Sequence, residues 1–150
     1  MKAGNLLNFI LRSMALGYQK QLDKYMDMYL LAQKQRESIE NDRWLELEEI
    51  IEKRYFLLTQ LEKLNKSMKP LQEDIVKTLN LEKFSSKAIL EAVPSKTSQQ
   101  LADTVAKIGD VLYKIKVIDN INEKLLQEKI SRLRVKTDLD KKMGKGKKYS

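Results

Sequence analysis

Between Ser98 and Lys142 the chain carries no proline and a single glycine, Gly109, and its apolar residues fall at helical intervals. Leu101, Val105, Ile108, Leu112 and Ile115 are four, three, four and three residues apart, which puts them on one face of an α-helix. Past Ile115 the apolar positions Val117, Ile118, Ile121, Leu125, Leu126, Ile130, Leu133 and Val135 spread over more than half of the circumference. At ~1.5 Å per residue such a rod is roughly 65 Å long, too long to fold alone and too apolar to stand bare in water. The rest of the chain must cover one face of it. The second face is expected to meet another protein.

Two further long helices follow from the same spacing. From about Asn5 to Ile39, Leu11, Met14, Tyr18, Leu22, Tyr25, Tyr29, Ala32 and Ile39 form a stripe with Arg36 as a polar member, and Gly17 marks a weak point or the end of a separate short helix. From about Arg43 to Asn80, Leu47, Ile50, Leu57, Leu61, Leu64, Met68, Leu71 and Ile75 line one side, flanked by Ile51, Leu58 and Leu79. Asn41 and Asp42 are good N-cap residues, with Glu46, Glu48 and Glu49 just beyond, so a tight turn is placed there. The stripe also crosses that turn in phase, which leaves one unbroken helix as the alternative. Pro70 lies inside the second pattern, and a kink near Lys66 is expected, since the stripe resumes in phase at Leu71. Ser85 or Ser86 can cap a short helix over Lys87 to Val93 that Pro94 ends, and Thr97 or Ser98 can cap the last long helix. The fold expected is all-α: an elongated antiparallel bundle of three long helices, residues 1–142, with a short helix in the second connection. A basic, flexible tail of residues 143–150 follows.

Composition narrows the chemistry. With 33% charged residues, two prolines and five glycines the chain resembles a long-helix or coiled-coil protein. It has no cysteine and no histidine, so it lacks thiolate ligands, the commonest general base and the usual partner of a nucleophilic serine. No enzyme, cofactor or metal site is expected. The carboxylates Glu40, Asp42, Glu46, Glu48, Glu49 and Glu52 are expected to be a solvated face, with Glu49 pairing with Lys53 one turn on, as Glu128 does with Arg132. Five of the eight net positive charges belong to Lys141, Lys142, Lys145, Lys147 and Lys148. Gly144-Lys145-Gly146-Lys147 lacks the spacing and the flanking strand of a phosphate loop. Leu6 to Leu11 is too short for a signal-peptide core or a membrane span, so a cytoplasmic protein is expected. Trp44 is expected to pack at the bundle end. Asn122 falls where the long stripe wants an apolar residue, where it would either fix helix register or bind a partner.

A long amphipathic helix, then Asn41-Asp42 with Leu45 three residues on, then Ile50-Ile51-Glu52-Lys53 and Leu57-Leu58 with Leu61, and finally Asn122 with Leu125-Leu126, resembles the FlgN-type flagellar export chaperones over roughly Leu22 to Lys142. The resemblance implies a cytoplasmic bundle that binds the C-terminal helices of flagellar hook-associated proteins. It would prevent their premature assembly and deliver them to the type III export apparatus, without catalysis. Pro70, the apolar segment Leu6 to Leu11 and the basic tail depart from the family pattern. The contact strip expected on the last helix is Val117, Ile118, Ile121, Asn122, Leu125, Leu126, Ile130 and Leu133, its aliphatics burying client side chains and Asn122 bonding polar groups. No small-molecule substrate, nucleic acid or direct membrane contact is expected, and self-association is left open. The alternatives are a structural coiled-coil interaction module and a basic helical protein that associates with RNA or membrane through its lysines.

Overall fold

In the second helical stripe, Leu47, Ile50, Leu61, Met68 and Ile75 are buried, and Arg54, Leu57, Leu64 and Leu71 lie half-buried between them. That completes a strict alternation of three and four residues, the repeat that keeps one seam facing a partner helix. The computed structural model describes the backbone of residues 3–149 and the side chains of residues 4–144. It is helical throughout: α1 (Ala3–Glu40), α2 (Trp44–Thr78), α3 (Ser86–Ala92) and α4 (Lys96–Tyr149), with no strand among the described residues. The helices pack as a bundle. The helical backbone of α4 continues past Lys142. The expected basic tail lies largely outside the described side chains.

Paired side chains give the directions. Tyr18 meets Gln72, Gln21 meets Asn65, Lys24 meets Gln60 and Gln35 meets Arg54, so α1 and α2 run in opposite senses. On α4, Asn122 bonds Ala32 and Lys129 bonds Glu40 and Asp42, so α4 runs along α1 in the same sense. α1 packs closely on both α2 and α4. Those two nowhere bring their Cα atoms within 8 Å of each other.

The buried line of α4 is Leu101, Thr104, Ile108, Ile115, Ile118 and Asn122, with Val111, Leu125 and Lys129 half-buried in the same alternation. Leu112, expected in the stripe, is 42% exposed, and Val111 takes its place. Both lines share Leu101, Ile108 and Ile115; they differ in which flank is covered. α1 covers the flank of Thr104, Val111 and Ile118, and the Val105–Leu112 flank turns toward α2, which stands off.

Each turn stops its helix by the same device. Asp42 takes φ 56°, Arg43 N donates to Ser38 O at 2.8 Å and Asp42 N to Ile39 O at 3.3 Å. This is a left-handed C-terminal stop for α1. Asn41 and Asp42 are therefore not N-caps of α2; the N-cap is Arg43, whose side chain makes no capping bond. Asn80, at φ 54°, repeats the motif after α2, with Leu81 N donating to Val76 O at 2.9 Å. Ser85 caps α3 by accepting from Ala88 N. The cap of α4 is Ser95, not Thr97 or Ser98: Ser98 N donates to Ser95 Oγ at 3.0 Å and Ser95 N to Ser98 Oγ at 2.9 Å, a reciprocal capping box.

Gly17 is no weak point. α1 is continuous through it, and a Cβ there would overlap Met68 Sδ and come within 2.8 Å of Met68 Cε. Glycine lets α1 and α2 approach at this level. Pro70 is carried inside an uninterrupted α2. Arg36, placed in the first stripe by spacing, is exposed and pairs with Glu40 at 2.9 Å. Met28, Gln21 and Ser38 are buried instead. Neither Glu49–Lys53 nor Glu128–Arg132 closes as an ion pair among the described residues; Arg43–Glu46, Arg54–Asp119 and Lys129–Asp42 do.

The larger core joins Leu11, Met14, Tyr18, Met68, Ile75, Ile89, Leu101 and Ile108, at the end where α3 packs on α4. A smaller cluster of Met28, Leu61 and Ile115 lies toward the α1–α2 turn. In the larger core Tyr18 stacks on Phe84 at 5.9 Å and accepts from Gln72. Burial raises the Tyr18 pKa above 10.0, and the Gln72 hydrogen bond lowers it only in part. A raised folded-state pKa favours the neutral phenol. Stability is therefore unaffected below about pH 10 and is lost as pH rises through the folded-state pKa. Tyrosinate absorbance is expected to include a late step, and Tyr18→Phe to remove it.

Candidate functional site

Three of the eight expected contact residues border a groove between α1 and α4. Its volume is about 650 Å³, its floor is Tyr29, Val117, Ile118 and Ile121, and Tyr113 stands beside it. The groove exists because α1 and α4 run side by side, with α2 on a different flank of α1. Val117 is 42% and Tyr113 69% exposed, so apolar surface faces solvent here. The rims carry both charges: Arg36, Glu37 and Glu40 on α1 and Lys114 on α4. Lys114 Nζ lies 6.0 Å from the Tyr29 ring centroid, within cation–π range.

The other strip residues divide. Ile118 and Asn122 are buried in the bundle itself. Asn122 Nδ2 donates to Ala32 O at 3.0 Å, so its polar group bonds this chain's own backbone. Of its two expected roles, the geometry matches register. Its Oδ1 and Ser38 Oγ are buried without a partner. Leu125 and Leu126 are half-buried near the α1–α2 turn, whereas Ile130 and Leu133 are 40% and 54% exposed. On a helix covered along one flank, apolar residues of a single strip divide between core and surface.

Two features escape a reading of single stripes. Leu30, Leu31, Phe56 and Leu57 form a second groove, about 610 Å³, between α1 and α2. Leu30 and Phe56 fall outside both stripes, the one signal that could have marked them. The second feature is Arg54, which gathers all three long helices. Its guanidinium donates to both Asp119 oxygens at 2.7 and 2.8 Å, to Gln35 Oε1 at 2.7 Å and to Met28 Sδ at 3.2 Å.

Lys129 Nζ closes the end of the bundle. It donates to Asp42 Oδ1 at 2.9 Å and to Glu40 O at 3.4 Å, a cation at the carbonyl end of α1. Trp44, 39% exposed, borders the same corner with Arg132 and Leu133. The described residues contain no group of three or more carboxylates placed to hold a metal ion. No described helix is long and apolar enough to cross a membrane. Compared with protein-family models, with curated proteins and with solved structures, the chain matches none.

Proposed function

We propose that this chain is a non-catalytic helix-binding protein, an export chaperone of the FlgN type. It receives the C-terminal amphipathic helix of a flagellar hook-associated protein in the α1/α4 groove, in the cytoplasm. The client is thereby kept from premature assembly and handed to the type III export apparatus. An elongated antiparallel bundle of three long helices serves as a rigid splint for such a client. The observation that supports this is the open apolar floor of the groove, Tyr29, Val117 and Ile121, framed by rims of both charges. An amphipathic helix can lay aliphatic side chains on that floor and its polar residues along the rims. Ile118 lies at the base of that floor with most of its side chain in the bundle, and Asn122, buried and bonded to Ala32 O, has no part in it.

The test is titration of the full chain with peptides from the C-terminal helices of hook-associated proteins. Binding that changes little with salt is expected, and Val117→Glu should weaken it by at least about tenfold, as for a central apolar contact. Because Val117 is 42% exposed, helicity and thermal stability should stay unchanged. Absence of binding, or a Val117→Glu variant that binds as well as the parent, refutes the assignment.

A further inference from the structure

α1 packs on both α2 and α4, and those two keep their backbones apart, the relation that diagonal helices have in a four-helix bundle. The fourth corner lies between α2 and α4. At one end it is filled by α3, whose Ile89 is buried among Met68, Ile75, Leu101 and Ile108. Toward the α1–α2 turn none of the described residues fills it. Ile51 and Leu58 share the flank of α2 from which Arg54 reaches across, and Leu112 shares the flank of α4 that carries Asp119. These three apolar side chains are 48%, 49% and 42% exposed.

The same end of the molecule carries a helix without a neighbour. Beyond Lys129, which bonds the turn, α4 continues to Tyr149, and every residue from Ser131 to Gly144 is exposed. That overhang is about 30 Å long at the helical rise, close to the span of the open corner from Leu47 to Lys66. Val135, Leu139 and Met143 recur every fourth residue and form an apolar stripe, flanked by Lys136 and Lys142. Residues 130–144 hold five cations, Arg132, Arg134, Lys136, Lys141 and Lys142, against Asp138 and Asp140. Glutamates stand along the edges of the corner, with Lys66 on α2 and Lys116 on α4 among them. Glu48 and Glu62 on α2 and Glu123 on α4 are exposed, and none is ion-paired among the described residues.

We propose that the open corner is occupied by the α4 overhang of a second copy of this chain. Two copies meeting head to head insert their overhangs reciprocally, which makes a two-fold interface. Antiparallel to the host α4, and with the two Ile130 residues at one level, the incoming helix brings Leu139 near the level of Ile51 and Met143 near that of Leu58. Its flanking lysines then face the glutamates at the edges. Two such seats of ~800 Å² each reach the ~1,600 Å² of a stable interface. The α1/α4 groove stays open, so the client test above is independent of this one.

Sedimentation velocity over a range of concentrations is the first measurement, and a dimer that weakens with added salt is expected. Glu48→Lys with Glu123→Lys sets lysines at the edges against Lys136 and Lys142 of the overhang; Lys136→Glu with Lys142→Glu sets glutamates of the overhang against Glu48 and Glu123. Each double variant alone should dimerise at least about tenfold more weakly than the parent. Mixed one to one, they restore charge complementarity in both seats, and the heterodimer should return. The chain has no cysteine, so Ile51→Cys in one copy and Leu139→Cys in the other should cross-link cleanly. A parent chain that is monomeric at every concentration, including one that instead sediments with anionic lipid vesicles, overturns the proposal. So do double variants that dimerise like the parent, or a mixture that fails to recover.

Discussion

Met68→Ala is expected to destabilise the protein by about 2–5 kcal/mol, and adding Gly17→Ala to that variant is expected to restore about 1 kcal/mol. Met68 is 2% exposed in the larger core, so its truncation leaves a cavity that the surrounding side chains only partly close. In the parent chain Gly17→Ala has the opposite sign. Its Cβ falls on the Met68 thioether, which is enclosed, and such overpacking costs about 1–3 kcal/mol. The better helix propensity of alanine recovers at most ~1 kcal/mol of that. Once Met68 is shortened the obstruction is gone and only the gain in propensity remains. The four proteins form a double-mutant cycle, read by urea unfolding with far-UV circular dichroism. If Gly17→Ala stabilises both backgrounds equally, α1 and α2 do not approach closely at this level.

The second large effect is expected at Arg54. Its side chain is 17% exposed and holds Asp119, which is 39% exposed, by two parallel hydrogen bonds across the gap between α2 and α4. Removing one partner of a fully buried pair costs about 3–5 kcal/mol, but solvent at Asp119 screens part of this, so Arg54→Ala should cost about 2 kcal/mol. Asp119→Ala strands the more buried charge, with Gln35 as its remaining side-chain oxygen acceptor, and should cost at least as much. The double variant Arg54→Leu with Asp119→Leu should lie within about 1 kcal/mol of the parent. Position 54 falls on the repeat of α2, between Ile50 and Leu57, where an aliphatic side chain packs naturally. Denaturant midpoints of the two single variants and the double variant decide it. A double variant as unstable as the worse single one would mean that the pair is needed for packing the helices together.

Much of the helical layout is readable from residue order. The turn after α1, the short capped helix between Ser85 and Pro94 and the stripe from Leu47 to Ile75 all stand where spacing places them, because each is set within a few turns of chain. The errors share one cause. The side chains of Asn41 and Asp42 suit caps for the next helix, yet Asp42 ends the previous helix through a backbone angle that asparagine and aspartate also tolerate. Thr97 or Ser98 is the cap that residue type suggests, and Ser98 is the second half of a box begun by Ser95. Both are choices between neighbouring positions of like chemistry.

The contact strip shows the same limit at greater range. Asn122 is expected either to fix register or to bond a partner, and its amide bonds Ala32 O, ninety positions away along the chain. Leu112 and Val111 are both apolar and adjacent, and only the position of α1 decides which is buried. Arg54 interrupts an apolar stripe, and no local feature says that its charge will be met from α4.

Sequence alone determined that this protein is helical, about where its first three helices stop and which broad face of each is apolar, since these depend on a repeat of ~3.6 residues and on capping groups close in the chain. Tertiary structure decided which flank of each apolar face is covered, why residue 17 has no side chain and where surface is left open. Those outcomes depend on the lateral placement of whole helices, which arises from contacts between distant segments and leaves no period in the residue order.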